Sequence, residues 1–402
     1  MIRFNKNSAC DKLQLKSLFP SMPSTLNFLF TLLLIPSMFW MDCFPVNAEP
    51  GITDNSILIG QSCALSGPAA ALGKELKSGA EAVFNQINNS GGINGRKIRL
   101  ISRDDGYEPL RCIQNTRKLI DEDKVFALFG YVGTPTTKAA IPMVDEAAIP
   151  MVGPFTGAGF LRDTRDGQRN VFNIRATYDK ETEALVNLFH KRGISRIGVM
   201  FQDDSYGRAG LSGVLKALKS LNLNIAGKGS YERNTFAVKS ALVRLRRSNP
   251  DAIIMIGAYR PCAEFIRLSR KIGFNPEFAN ISFVGTATLI RELAGSGDNT
   301  HISQVVPSPL DDSSKLVKSC NALMGRTATY GELEGYLDAM VLIEGLRKSG
   351  KNLTRSSFVK AMEEIRGFDA GDVKITFGPN DHQGLDDVFI TRIVNGQAET
   401  IN

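Results

Sequence analysis

The sequence predicts an α/β protein made of two doubly wound lobes, each a parallel sheet covered by helices. The chain has 402 residues, which is more than one hydrophobic core of ordinary size accommodates. From Ile57 onward, short apolar runs alternate with segments of helical periodicity, as in parallel strands joined by crossover helices. This pattern runs twice, because the glycine-rich segment 153–170 interrupts it.

In the first half, Pro135 and Thr134 mark the start of one helix. Thr134 is predicted as its N-cap, and Pro135 occupies the first helical position, where a missing N–H is tolerated. The predicted helices are 72–87, 109–121 and 134–146, and the predicted strands are 57–59, 98–102, 125–130 and 149–152.

The second half repeats this alternation and ends differently. The predicted helices are 178–191, 205–221, a segment around 238–245, and 261–272, and the predicted strands are 196–201, 224–230, 252–257 and 281–284. After residue 307 the chain is predicted to be mainly helical, with two final strands at 373–377 and 387–393.

Residues 1–48 have the three-part layout of a secretory signal peptide. Basic residues come first, an apolar run follows over 26–41, and Val46 and Ala48 precede a possible cut before Glu49. We expect cleavage and a periplasmic mature chain. A retained membrane anchor is the alternative, which the short and interrupted apolar run disfavours.

The charge and cysteine content exclude several classes of function. The net charge of +7 is spread along the chain without a long basic run, so no nucleic-acid partner is expected. After cleavage, four cysteines remain: Cys63, Cys112, Cys262 and Cys320. An exported chain can oxidise them, but three pairings are open. With no CxxC and three histidines, a structural zinc site is not expected.

Polar residues and glycines gather just after several predicted strands, where ligands bind in doubly wound sheets. The segments are 62–68, 130–137, 153–157 and 203–207. Free N–H groups at helix starts and nearby hydroxyls suit a carboxylate. The alternative is that these residues serve only as turns and caps.

The sequence lacks the motifs of common enzymes. It has no P-loop, no HExxH, no GxSxG and no GxGxxG between a strand and a helix. The carboxylate pairs Asp104-Asp105 and Asp203-Asp204 fit turns or helix caps better than acid–base catalysis. We therefore predict a protein that is not an enzyme and has no cofactor.

Several short motifs occur in a specific order: Ile59-Gly60, Leu65-Ser66-Gly67-Pro68, Gly73, the GGING stretch at 91–95, Asp104-Asp105, 150–157 and the DSYG stretch at 204–207. Over about residues 51–391, this order resembles the periplasmic leucine/isoleucine/valine-binding proteins of ABC importers. The resemblance implies a type I periplasmic binding protein, with two lobes joined by a three-strand, Venus-flytrap hinge. The implied crossings lie near 172–176, 304–307 and 373–377, so that lobe I is 49–173 plus 307–373 and lobe II is 174–306 plus 374–402.

The resemblance also implies the ligand site. Thr134 and the segment Phe155, Thr156 and Gly157 would hold the ligand carboxylate. Tyr206 and Tyr259 of lobe II would close over the ligand, and Leu72 would contact its side chain. From their chemistry, Phe155 and Tyr131 would also suit a flat or apolar ligand body.

One position departs from the family pattern. The family binds the ligand ammonium with a carboxylate in a loop of lobe II, and Ala287 stands at that position here. An unpaired ammonium in a closed cleft is costly. Either Asp203, Asp204 or Glu264 replaces the missing acid, or the ligand is an amine-free carboxylate such as an aromatic or keto acid.

The predicted function is capture of a small amino acid or related carboxylate by hinge closure, as the monomeric substrate-binding protein of an ABC importer. Its partners would be the ligand and the importer's membrane subunits. A ligand-sensing module of the same fold is the alternative, because fold does not fix function.

Overall fold

The computed structural model describes residues 49–162 and 170–401. Lobe I begins with a five-stranded parallel sheet of order β2-β1-β3-β4-β5. Its elements are β1 (Ser56–Cys63), α1 (Ala70–Asn89), β2 (Lys97–Asp104), α2 (Pro109–Asp121), β3 (Ala127–Phe129), α3 (Thr134–Glu146), β4 (Met151–Val152) and β5 (Val171–Phe172).

Lobe II contains a sheet of seven strands, in the order β14-β13-β10-β9-β8-β6-β7. Five strands are parallel, and the last two, β13 and β14, add antiparallel. The elements are α4 (Tyr178–Lys191), β6 (Ile197–Gln202), α5 (Ser205–Ser220), β7 (Gly227–Tyr231), α6 (Lys239–Ser248), β8 (Ala252–Ile256), α7 (Tyr259–Lys271), β9 (Glu277–Asn280), α8 (Thr286–Leu293), β10 (Thr300–Gln304), β13 (Phe389–Val394) and β14 (Gln397–Ile401). The predicted fold class, two doubly wound parallel sheets, is confirmed.

Between β10 and β13 the chain returns to lobe I. It forms α9 (Lys315–Met324), α10 (Tyr330–Lys348), α11 (Arg355–Glu363) and the small hairpin of β11 (Phe368–Asp369) and β12 (Lys374–Ile375). Helix α10 packs closely on α1, because Gly79 and Gly335 leave room for the facing backbone: an added Cβ at either would overlap a carbonyl of the other helix. This contact fixes the position of α10 relative to α1, and it thereby determines which α10 side chains reach the cleft.

The chain crosses between the lobes three times. The first crossing follows β5, and the second follows β10. The third lies later than the sequence indicated, because Ile375, Phe377 and Leu385 still pack in the core of lobe I. The chain therefore passes to lobe II between Leu385 and Phe389, not at 373–377.

Other local predictions were wrong for identifiable reasons. Segment 281–284 was predicted as a strand, but Ser282–Val284 is a 3-10 turn, and the strand is the polar Glu277–Asn280 before it. Gly133, at φ 99°, is the N-cap of α3, and Thr134 is its first residue. The predicted loop at 285–288 is the start of α8. β10 and β14 lack an apolar run and were not predicted.

The four cysteines of the described residues are buried and free, so the oxidation that export would permit is not seen. In the same residues, no helix combines the length and apolar character needed to cross a bilayer. The predicted signal peptide lies outside the described residues.

Candidate functional site

An aromatic cluster, defined here as Tyr107, Phe155, Tyr178, Tyr206 and Phe283, fills the cleft between the lobes. Tyr107 and Phe155 come from loops of lobe I, and the other three come from lobe II. Phe283 is the centre: its ring lies 4.6 Å from that of Tyr206, 5.6 Å from that of Phe155 and 5.9 Å from that of Tyr107. Such ring pairs stabilise beyond the area that they bury, so the cluster joins the two lobes.

A group of hydroxyls lies beside this cluster at the start of α3. The Thr134 Oγ1 atom is 2.7 Å from Thr156 Oγ1 and 3.4 Å from the Tyr178 hydroxyl. The hydroxyls of Tyr206 and Thr137 are buried and find no hydrogen-bond partner within residues 49–162 and 170–401. Because the first N–H groups of α3 also have no partner within the helix, this corner offers several hydrogen-bond donors to an anion.

A narrow cavity of about 10 Å³, lined in part by Phe155, remains between the lobes, and it is no larger than one water molecule requires. Leu72, Glu75 and Glu334 of lobe I form one wall, and residues of lobe II that include Ser282 form the other. The cleft is therefore closed around a small space with two carboxylates in its wall.

Arg175, in the first crossing, lies behind the cavity and is almost completely buried. Its guanidinium carbon is 4.5 Å from the centre of the Phe155 ring, a cation–π contact. Its Nε is 3.4 Å from Glu334 Oε1, and its Nη2 is 3.8 Å from Glu181 Oε1 and donates to the Ser282 hydroxyl. Nε and Nη1 make no hydrogen bond, so the guanidinium keeps unused donors.

Burial changes the ionisation of the acids around Arg175. It raises the pKa of Glu334 to about 7, although Arg175 opposes the shift. Burial and the nearby Glu334 raise the pKa of Asp338. Burial also raises the pKa of Glu181, against the opposing charge of Arg175. The carboxylates thus hold protons more tightly than in water.

Direct hydrogen bonds hold the lobes together at the edge of the cleft. Arg233 of lobe II pairs with Glu108 of lobe I at 2.9 Å, and the Asn234 amide donates to the same carboxylate at 2.6 Å. On the far side, the backbone N–H of Ala71 donates to the Tyr259 hydroxyl at 3.3 Å. This structure is the closed form of the cleft.

Most of the predicted site residues come together in the cleft. Thr134, Thr156 and Phe155 form the lobe I side, while Tyr206 packs on Phe283. Leu72 lines the cavity, and Tyr259 reaches across to α1. At Gly157, any side chain would collide with Tyr178, so its role is to let the two loops approach.

Tyr131 is the exception. Its ring is buried in a separate core of lobe I with residues of α2 and α3, and its hydroxyl is 3.0 Å from Thr116 Oγ1. Side chains in the segment after β3 point to different sides. Tyr131 therefore packs inside lobe I, while Thr134, three residues later, faces the cleft. The prediction that Tyr131 contacts a ligand therefore does not fit the structure.

The three acids considered as replacements at position 287 do not face the cavity. Asp203 is exposed and Glu264 is half-buried, and they pair with Arg208 and Arg267. Asp204 is the N-cap of α5, where it accepts from two backbone N–H groups and from the Gln202 amide. None of them is free to take an ammonium.

The residues that sequence reasoning missed are Phe283, Arg175 and Glu334. Phe283 lay in a segment predicted as a buried strand. Arg175 had a visible signal, since it stands between Ile174 and Ala176 in a predicted crossing where a charge is unexpected. Glu334 had none, because it lies within a helix far along the chain.

Comparison with known proteins identifies the family to which this architecture belongs. The model of the periplasmic binding protein family matches residues 56–398. The Leu/Ile/Val-binding protein homolog 7 of Brucella abortus is 26% identical over 348 residues, 81% of this chain and 81% of the relative.

Solved structures agree with this assignment. A possible leucine/isoleucine/valine-binding protein from Rhodopirellula baltica SH 1 is 34% identical with a TM-score of 0.83, covering 89% of this chain and 98% of that chain. A substrate-binding periplasmic protein from Ralstonia solanacearum is 30% identical with a TM-score of 0.80, covering 86% and 100%. This chain therefore belongs to the periplasmic binding protein family, in its leucine/isoleucine/valine-binding type, a family of solute-binding proteins and not of enzymes.

Proposed function

We propose that this chain is the substrate-binding protein of an ABC-type importer and that it captures a small amino acid or a related carboxylate in the periplasm. The observation that carries the proposal is the closed cleft, in which both lobes supply polar groups around a small space. Membership of the family supports the same reading. No covalent chemistry is required of the cleft.

The hydroxyl corner at the start of α3 would hold the ligand carboxylate. Thr134 and Thr156 supply hydroxyls, and the helix start supplies N–H groups with partial positive charge. Tyr206, whose hydroxyl is buried without a partner, would add a donor from lobe II. A ligand bound there contacts both lobes and so favours the closed form over the open one.

The importer would recognise the ligand-bound protein by its closed conformation. In the closed form, the Arg233–Glu108 pair and the Tyr259 contact join lobes that separate on opening. The membrane subunits would bind the surface that closure creates. An amine-free carboxylate is the second candidate ligand, because Ala287 occupies the position at which the family has an acid.

A thermal-shift screen tests the proposal. The purified protein is heated with each of the amino acids and with their keto-acid and aromatic-acid analogues. A ligand of the folded form raises the melting temperature, by an amount set by its concentration relative to Kd. If no compound in these classes raises the melting temperature, the proposal is wrong.

Substitutions locate the binding site. Thr134→Val and Tyr206→Phe each remove a cleft hydroxyl and should weaken binding of the best ligand about tenfold, as expected for one lost hydrogen bond to a charged group. Tyr131→Phe is the matched control, since its hydroxyl bonds Thr116 inside lobe I. Equal affinity in all three variants and in the unmodified protein would refute the site.

A further inference from the structure

We infer that Glu334 of α10 is the carboxylate that binds the ligand's amine, so that the cleft selects an amino acid over the corresponding amine-free acid. This inference rests on the proposed function and names the ligand class. It moves the ammonium partner from lobe II, where Ala287 cannot supply it, to a helix of lobe I.

Behind the cavity, buried acids outnumber the guanidinium groups. Three buried carboxylates, of Glu181, Glu334 and Asp338, interact with the guanidinium of Arg175, and the guanidinium of Arg162 adds a second positive charge near Glu181. The nearby Arg162 donates to the backbone carbonyls of residues 156, 158 and 175. Buried charges require compensation, so this cluster either holds protons or accepts a further cation.

Within that cluster, Glu334 is the acid that reaches the cavity. Glu334 lines the cavity and is 4% exposed. Among the described residues its ion-pair partner is Arg175, with the Nε atom 3.4 Å away, in an orientation that leaves Nε without a hydrogen bond. A carboxylate oxygen accepts several hydrogen bonds when ionised, so Glu334 has acceptor capacity directed at the cavity.

The other acids are already engaged or face elsewhere. Glu181 accepts from the Ser282 backbone at 2.8 Å, from the Ser282 hydroxyl at 3.0 Å and from Ser303 at 2.7 Å. Glu75 also lines the cavity, but it accepts from Thr329 at 2.9 Å and from Thr288 at 3.4 Å. Asp338 does not line the cavity. Glu334 is therefore the acid that a ligand reaches without displacing a hydroxyl.

The fold holds Glu334 in place from two directions. The capping box of Thr329 and Glu332 fixes the first turn of α10, and the glycine contact between α1 and α10 fixes the helix against lobe I. A rigid carboxylate pays little conformational entropy on binding. Glu334 is thus positioned as a specificity group.

The test compares matched ligands on matched variants. Affinities of the unmodified protein and of Glu334→Gln are measured by calorimetry for the amino acids and their 2-keto analogues. Glu334→Gln should weaken binding of the best amino acid at least about tenfold, the size expected when one member of a buried charge pair is removed. It should leave the binding of the keto analogue within about twofold. Glu264→Gln removes a half-buried acid that pairs with Arg267 outside the cavity, and this control should change neither affinity.

Two results overturn the inference and leave the proposed function intact. One is an unmodified protein that binds keto or aromatic acids and no amino acid. The other is a Glu334→Gln variant that keeps its preference for the amine. An unmodified protein that binds neither class contradicts the inference and the proposed function together. If Glu334→Gln does not fold, Glu334→Asp keeps the charge but shortens the side chain, and it should retain the preference for the amine with lower affinity.

Discussion

Two acidic regions lie at the cleft, and they use their carboxylates differently. At the start of α5, Asp204 has both oxygens engaged, by the N–H of Tyr206 at 2.9 Å and by the Gln202 amide at 2.7 Å. In the first turns of α10, Glu334 is buried beside Arg175 and accepts no hydrogen bond from the residues that the structure describes. One carboxylate completes a helix end, and the other is left with capacity for a ligand.

The difference follows from where each residue stands in its helix. An acid just before a helix finds unpaired N–H groups at once, so its role is local and structural. An acid within a helix has no free backbone donors near it, so only tertiary contacts can satisfy it. Glu334 has an ion pair with Arg175, and its carboxylate oxygens keep acceptor capacity that a ligand could use.

The largest predicted effect comes from removing the cation of the α10 region. Arg175→Met leaves Glu181 and Glu334 without their common counter-charge, which should lower the free energy of unfolding by about 3–5 kcal/mol. Chemical denaturation measures this. Arg208→Met, which removes an exposed partner of Asp203, is the control and should stay within about 0.5 kcal/mol. If both variants lost the same free energy of unfolding, buried and surface ion pairs would contribute equally, which would contradict this prediction.

The second prediction concerns pH. With its pKa raised to about 7, Glu334 is mostly protonated at pH 6 and mostly ionised at pH 8. Because an ammonium pairs with the ionised form, affinity for the best amino acid should rise about tenfold over this interval. Arg175, Glu181 and Asp338 interact electrostatically with Glu334, and Glu75 lines the same cavity, so the titration is shared among these groups.

Calorimetry at the two pH values measures this effect. Glu334→Gln should remove most of the rise, and the keto analogue should show none. An affinity for the amino acid that falls between pH 6 and pH 8 would contradict the role of Glu334.

A smaller effect is expected in the α5 region. Asp204→Ala removes the N-cap and the Gln202 partner, and it should lower the free energy of unfolding by about 1–2 kcal/mol. The preference for amino acid over keto acid should not change. Asp203→Asn, one residue earlier and exposed, is the control for stability. If Asp204→Ala abolishes the preference for the amine, the roles of the two regions are reversed.

The sequence predicted the fold well, because apolar periodicity records which residues are buried. Helices α2, α3 and α4 match their predicted bounds. Strands β10 and β14 were missed because neither contains an apolar run: β10 is a buried interior strand and β14 is an edge strand, and both are defined by their pairing partners. The third crossing was misplaced because only tertiary packing reveals that Phe377 and Leu385 belong to the core of lobe I.

The sequence indicated those candidate site residues whose positions follow from local features such as strand ends and helix starts. Thr134, Thr156 and Tyr206 follow strands or begin helices, and a parallel sheet brings such positions to one edge. Arg175 and Glu334 are 159 positions apart in the chain and meet only because α10 returns to lobe I. No local pattern in the sequence indicates that these two residues lie close together in space.

A crystal structure with the tightest-binding amino acid tests the central claim most directly. The account predicts the ligand between the lobes, with its ammonium about 3 Å from the Glu334 carboxylate and its carboxylate on the hydroxyls of Thr134 and Thr156. A ligand amine that instead contacts the region of Ala287 or Asp204, with Glu334 unchanged beside Arg175, would contradict it.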